Sequence, residues 1–157
     1  MPPDPSTETT RAVGVVRFGG PDGLEVVQVP TPHAGAGEIR MRVRAVAVSP
    51  SDVLIRHGRT PTTPGHMVIP GTDAAGVVDE IGPGAVTDLA VGDAVMAYVH
   101  PLGPDGGAYA EHVVLPADWV VRAPRGATSA EAATLPLNGL EGTDDAPGVQ
   151  REPSKGD

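Results

Sequence analysis

The segment "IPGTDAAGVVDEIGPGAVTDLAVGDAVMA", residues 69–97, decides how this chain must fold. Two short apolar runs, "AAGVVDEIG" (74–82) and "VGDAVMAYV" (91–99), are separated by glycine, proline and aspartate. Those residues supply turn conformations that β-branched residues cannot, so the pattern is strand, turn, strand. The Gly82-x-Gly84 start of "GPGAVTD" (82–88) invites comparison with a dinucleotide-binding loop, but the third glycine of such a loop would fall at Thr87. The "VGD" at 91–93 then turns the chain before any helix can aim its N-terminus at a pyrophosphate. The glycines therefore form a strand-to-strand turn and hold no nucleotide.

The same grammar extends in both directions. Upstream, "AVGVVRF" (12–18) and "LEVVQV" (24–29) flank "GGPDG" and predict a hairpin. In "GEIRMRVRAVAVS" (37–49), Ile39, Met41, Val43 and Ala45 alternate with Arg40, Arg42 and Arg44, the period of a strand with one wet face. The arginines are read as that solvated face. "SDVLIRHG" (51–58) predicts a short helix capped by Ser51 or Asp52, with Val53 and Leu54 facing inward and Gly58 ending it. The proline-rich "GRTPTTPGHMVIPG" (58–71) is a loop. Downstream, "GAYAEHVVL" (107–115) and "WVVRA" (119–123) are further short strands. Thr128 stands three residues before Glu131 in "TSAEAATLPL" (128–137), the spacing of a capping box, and Pro136 limits that helix. The sum is a mainly β chain with a few short helices, an all-β barrel or sandwich.

Composition agrees and removes several functions. A chain of 157 residues has room for one ordinary domain. Only 3% of it is aromatic, against 21 glycines and 18 prolines, so the core must be built from Val, Ala, Leu and Ile between many turns. The formal net charge of -9 repels a nucleic-acid backbone or an anionic membrane surface. No cysteine is present, which removes disulfides, thiolate zinc sites and cysteine nucleophiles together. "MPPDPSTETT" (1–10) has neither the basic nor the apolar part of a signal peptide and is expected to be a disordered leader. No apolar stretch approaches the ~20 residues of a membrane span, so a soluble, cytoplasmic protein is expected.

Catalytic motifs are sparse. His33, His57, His66, His100 and His112 show no i+3, i+4 or i+5 pairing and no His-Glu-x-x-His, so they are read as solvated or satisfied side chains and no metal ligand is assigned. There is no Gly-x-Ser-x-Gly elbow, which leaves hydrolase chemistry without support. Asp52, beside Ser51, is first a helix cap.

Taken in order, "VRAVAVSPSDVLIRHG" (43–58), "IPGTDAAGVVDEIGPGAVTDLAVGDAVMA" (69–97), "GAYAEHVVLPADWVVRAP" (107–124) and "SAEAATLPLNGL" (129–140) resemble one family. They look like the N-terminal GroES-like domain of medium-chain dehydrogenases/reductases, in the zinc-free quinone oxidoreductase (zeta-crystallin-like) branch. The resemblance covers residues 11–140. It implies a partly open β-barrel and hydride transfer from NADPH to a quinone or an enone, without zinc. Zinc-dependent relatives place a cysteine near Ser49 and a His-Glu pair where this chain has Thr72 and Asp73. The reductase branch has Asn-x-x-Asp where this chain has Ser49-Pro50-Ser51-Asp52, and a tyrosine where it has Leu54. By carry-over, Ser49, Asp52 and Asn138 line the cofactor side of the cleft, and no residue of this chain is assigned the catalytic step.

In that family "LPLNGL" leads through a threonine into a Rossmann domain. Here Glu141 stands at the threonine's position, and "EGTDDAPGVQREPSKGD" (141–157) has neither apolar period, so disorder is expected from residue 141 onward. The resemblance therefore implies the substrate-side domain of a truncated or split reductase, inactive alone. Its partner would be a separate Rossmann-domain chain that brings the NADPH. The alternative expectation is a free-standing, non-enzymatic β-domain that binds a small ligand or a protein partner, with a homo-oligomer formed through its uncovered face.

Overall fold

The computed structural model describes residues 8–62 and 65–141. Seven strands, β1 (Thr9–Val15), β2 (Leu24–Pro30), β3 (Glu38–Val46), β4 (Asp73–Ile81), β5 (Ala94–Tyr98), β6 (His112–Pro116) and β7 (Val120–Arg122), carry the architecture. Three short α-helices accompany them: α1 (Pro50–Arg56), α2 (Ser129–Ala132) and α3 (Pro136–Glu141).

Strands β6-β3-β4-β5-β7 form one antiparallel sheet, and β1 and β2 form the expected hairpin. The hairpin is stitched to the sheet by residues 109–111. The Val13 N–H donates to the Tyr109 carbonyl at 2.7 Å, and the Glu111 N–H donates to the Arg11 carbonyl at 2.9 Å. On the opposite side of the same segment the Val43 N–H donates to the Glu111 carbonyl at 2.8 Å. A sheet joined end to hairpin in this way curls into a half-barrel. Register shifts at Arg40/Met41 and Val43/Ala45 add local bend to β3, as bulges do. The fold is mainly β, as the sequence pattern requires.

The barrel interior holds Ile39 and Met41 from β3, Val78 from β4, Val95 from β5, and Val113 and Leu115 from β6. None of these side chains is aromatic, which suits a narrow interior. A second cluster joins Ala75 to Ala132 and Ala133, so α2 lies close on the back of β4. Thr128 caps α2: its hydroxyl accepts from the Glu131 N–H at 3.1 Å, and the Glu131 carboxylate accepts from the Thr128 N–H at 2.8 Å.

Several expectations are corrected. In α1 the inward residues are Asp52 and Ile55, whereas Val53 and Leu54 are exposed. The helix begins one residue earlier than expected, with Pro50 at its first position, and its N-cap is Ser49. This rotates the buried stripe onto a carboxylate. Arg42 and Arg44 are solvated as expected, but the Arg40 side chain is only 15% exposed and pairs with Asp79 at 2.8 Å and Glu80 at 2.9 Å. A guanidinium can stay charged beside the core only with such partners. Pro136 does not simply end a helix; it stands first in α3, where a missing N–H costs nothing. Thr9 and Thr10 belong to β1, and Thr10 is buried. Residues 1–7 of the expected leader, and the tail beyond Glu141, lie outside the described residues.

Candidate functional site

The site is built around the stretch Pro70–Asp73, which leads into β4. Asp52 reaches it from α1. Its Oδ1 accepts the Gly71 N–H at 2.9 Å, and its Oδ2 accepts the Ser49 N–H at 2.8 Å, the Ser49 hydroxyl at 3.1 Å and the Tyr109 hydroxyl at 3.2 Å. A buried carboxylate holds its charge only when so surrounded by donors. Asp52 is therefore more than a cap. It ties the start of α1, the loop before β4 and the segment before β6 to one point.

Asp73 does the same for α3. Its Oδ1 accepts the Leu137 N–H at 2.7 Å, and its Oδ2 accepts the Thr72 hydroxyl at 3.2 Å. Burial raises the Asp73 carboxyl above the usual carboxylate range. The hydrogen bonds from Leu137 and Thr72 oppose that shift, and the Asp52 charge adds to it. Burial likewise pushes the Tyr98 and Tyr109 phenols up, helped by Asp73 and Asp52 respectively. Both phenols remain protonated donors at any ordinary pH.

The three residues expected on the cofactor side fall as follows. Ser49 and Asp52 are in direct contact, and the Ser49 hydroxyl also lies 2.7 Å from that of Ser51. Asn138 sits on α3, one residue beyond the Leu137 N–H that Asp73 holds. It is exposed, and its Nδ2 donates to the Thr134 carbonyl at 2.8 Å, while its amide oxygen has no hydrogen-bond partner among the described residues. Asp52 contacts Ser49 directly, whereas Asp73 holds α3 through the Leu137 N–H, one residue before Asn138. Tyr109 and Gly71 were not foreseen as parts of this site. A tyrosine in a strand is ordinarily read as core, and no local pattern announces a partner 57 residues away.

The turn at residues 82–93 joins antiparallel β4 to β5, which leaves no helix for a phosphate there. Among the described residues no three His, Asp or Glu side chains gather as a metal site. His33 lies 3.2 Å from Glu80, and His112 lies 2.8 Å from the Thr10 hydroxyl. No helix among the described residues is long and apolar enough to cross a membrane.

A family model described as the alcohol dehydrogenase GroES-like domain matches residues 35–125. The chain belongs to the alcohol dehydrogenase GroES-like domain family. Over 124 residues this GroES-like domain is 40% identical to the chloroplast envelope quinone oxidoreductase homolog of Arabidopsis thaliana, covering 78% of the chain and 37% of that protein. Over 128 residues it is 32% identical to the human synaptic vesicle membrane protein VAT-1 homolog-like, covering 82% of the chain and 29% of that protein. The structure of the quinone oxidoreductase from Coxiella burnetii superposes with a TM-score of 0.75 at 28% identity, over 85% of this chain and 43% of that one. The chain therefore spans about a third of the length of these curated relatives. It is a GroES-like domain of the medium-chain dehydrogenase/reductase type, related to oxidoreductases.

Proposed function

We propose that this chain is the substrate-side domain of a zinc-independent, NADPH-dependent quinone or enone reductase, working together with a Rossmann domain. The observation that carries the reading is the pair of buried carboxylates, Asp52 and Asp73, whose hydrogen bonds with Gly71 and Leu137 fix the segment bearing Ser49 and the helix bearing Asn138 to the start of β4. Carboxylates spent on orienting neighbours are a support for a binding wall. The kinship with quinone oxidoreductases supplies the reaction class.

The residues fit one end of the cofactor. The Asn138 amide oxygen and the Ser49 hydroxyl suit the carboxamide edge of a nicotinamide. The phosphate end has no cradle among the described residues, because the N-terminus of α1 is already occupied by the Asp52 carboxylate. NADPH, when bound, supplies the hydride, and solvent supplies the balancing proton. The chain's own part is to fix the acceptor and exclude water from one side. Leu135, just before α3, is an exposed apolar side chain that a companion domain would cover.

The test follows NADPH absorbance with a simple quinone and with a 2-alkenal as acceptors. The purified chain alone is expected to give negligible turnover, and co-expression with a companion Rossmann-domain chain is expected to produce it. Steady acceptor-dependent oxidation by the pure chain would overturn the reading that this domain needs a Rossmann domain. Failure of every companion domain would overturn the reductase reading itself.

A further inference from the structure

An open groove of about 530 Å³ is lined by the β1–β2 hairpin, the C-terminal half of β3 and residues 108–111. That volume lies within the roughly 300–1,000 Å³ of small-molecule sites. Its walls are mostly aliphatic, with Val13 and Val26, paired across the hairpin, Val46 and Val48, and Tyr109 contributes a single ring. Val26 is 68% exposed and Val48 is 76% exposed, so apolar surface stands in water on both sides. Two guanidinium groups border it. Arg11 is neutralised by Glu111, which accepts from its Nε at 2.9 Å. Arg44 is exposed and has no ion pair among the described residues. In a chain of net charge -9, an uncompensated cation beside an aliphatic slot is a local inversion of sign.

We propose that this groove binds one aliphatic carboxylate, its alkyl tail against Val13, Val26, Val46 and Val48 and its carboxylate on Arg44. A single guanidinium matches a planar monoanion through its fork of donors, whereas a phosphate monoester would call for more than one cation. The valine walls favour a flexible alkyl chain over a stacked ring. The proposal does not depend on the reductase reading. The groove nevertheless abuts the candidate site, since Val48 precedes Ser49 and Tyr109 lines the groove while its hydroxyl holds Asp52.

The test is calorimetric titration of the full chain with dodecanoate, octanoate and 1-dodecanol below their aggregation limits. Arg44→Gln and Val48→Asp are titrated alongside; both positions are exposed, and circular dichroism checks that the variants fold. Dodecanoate is expected to saturate one site per chain, with octanoate at least roughly tenfold weaker because fewer methylenes are covered. Arg44→Gln is expected to weaken dodecanoate by about three- to fivefold, as an exposed ion pair would. Val48→Asp should weaken it at least as much, and dodecanol should bind less tightly than dodecanoate. No saturable binding, equal affinity for the alcohol and the acid, or an unchanged Arg44→Gln or Val48→Asp would each overturn the proposal. So would sedimentation showing a dimer that Val48→Asp dissociates and that takes up no dodecanoate, since the occupant would then be a second copy.

Discussion

The Tyr109 hydroxyl donates to Asp52 Oδ2 at 3.2 Å, while the other oxygen of the same carboxylate holds the Gly71 N–H at 2.9 Å. One side chain of α1 therefore fastens two segments that approach from different parts of the barrel. The two bonds differ in what their loss exposes. Gly71 donates a backbone N–H in a buried segment, whereas Tyr109 donates a hydroxyl that can turn to another acceptor.

That difference sets the first prediction. Asp52→Ala leaves the Ser49 and Gly71 N–H groups without their acceptor, and each unpaired buried donor costs about 1–3 kcal/mol. A loss of roughly 3 kcal/mol is expected in urea denaturation followed by circular dichroism. Tyr109→Phe removes one of four donors and should cost only about 1 kcal/mol. Equal, small losses in both variants would show that Asp52 does not tie these segments together.

The second prediction concerns alkaline pH. Burial holds the Tyr98 and Tyr109 phenols above the ordinary tyrosine range. The folded state then keeps protons that the unfolded state releases near pH 10, so stability must fall as pH rises beyond about 10. Titration at 295 nm should show tyrosinate appearing only above the ordinary tyrosine range while the protein is folded, with further ionisation released on unfolding. Ionisation within the ordinary range before unfolding would mean that the two rings are open to solvent.

Much of the fold was legible because its signals are local. Ile39 and Met41 alternate with arginines, Thr128 and Glu131 stand at capping distance, and the glycines at 82 and 84 fall between two apolar runs. Each of these is a rule about neighbours in the chain. The site was legible only in part, because what makes it is long-range. Asp52 carries the composition of a helix cap, and its burial follows from Gly71 and Tyr109, neither of which is near it in sequence. Val53 and Leu54 looked like the inward face because they are apolar, but the phase of α1 is fixed by Pro50 at its first turn and by the Asp52 contacts. Arg40 fits the wet face by period, and only its ion pairs with Asp79 and Glu80 on the neighbouring strand draw it inward. Ser49 and Asn138 were found by family likeness, a signal that no spacing rule supplies.

The third prediction separates crowding from backbone strain. Gly71 has a φ of +106°, and a Cβ there would lie 2.6 Å from Tyr109 Cδ1 and 2.9 Å from Ala108 Cβ. Gly84 has a φ of +71° with nothing within 4 Å of such a Cβ. Gly84→Ala should cost about 1–2 kcal/mol from strain alone. Gly71→Ala must also displace the Tyr109 ring, and about 3 kcal/mol or more is expected from strain and overpacking together. Thermal denaturation of the two variants gives the comparison, and a Gly71→Ala no worse than Gly84→Ala would show that the Tyr109 ring yields freely.

The last prediction tests the buried charge at Asp73. Burial outweighs the donors from Leu137 and Thr72 and raises this carboxyl, so the folded state takes up a proton at a higher pH than the unfolded state does. Above the raised value the ionised carboxylate weakens the fold. As pH falls through that value the folded state gains protons first, and the penalty disappears. Asp73→Asn keeps a carbonyl oxygen for the Leu137 N–H, and the Thr72 hydroxyl can rotate to accept from the new amide. The variant should therefore be at least as stable as the wild type at pH 7, and its advantage should shrink as pH falls through the raised Asp73 value. Urea midpoints at pH 7 and at successively lower pH read both effects. A variant that is less stable at pH 7 and recovers toward the wild type at low pH would mean that the charge itself, through the Leu137 contact, holds α3 against β4.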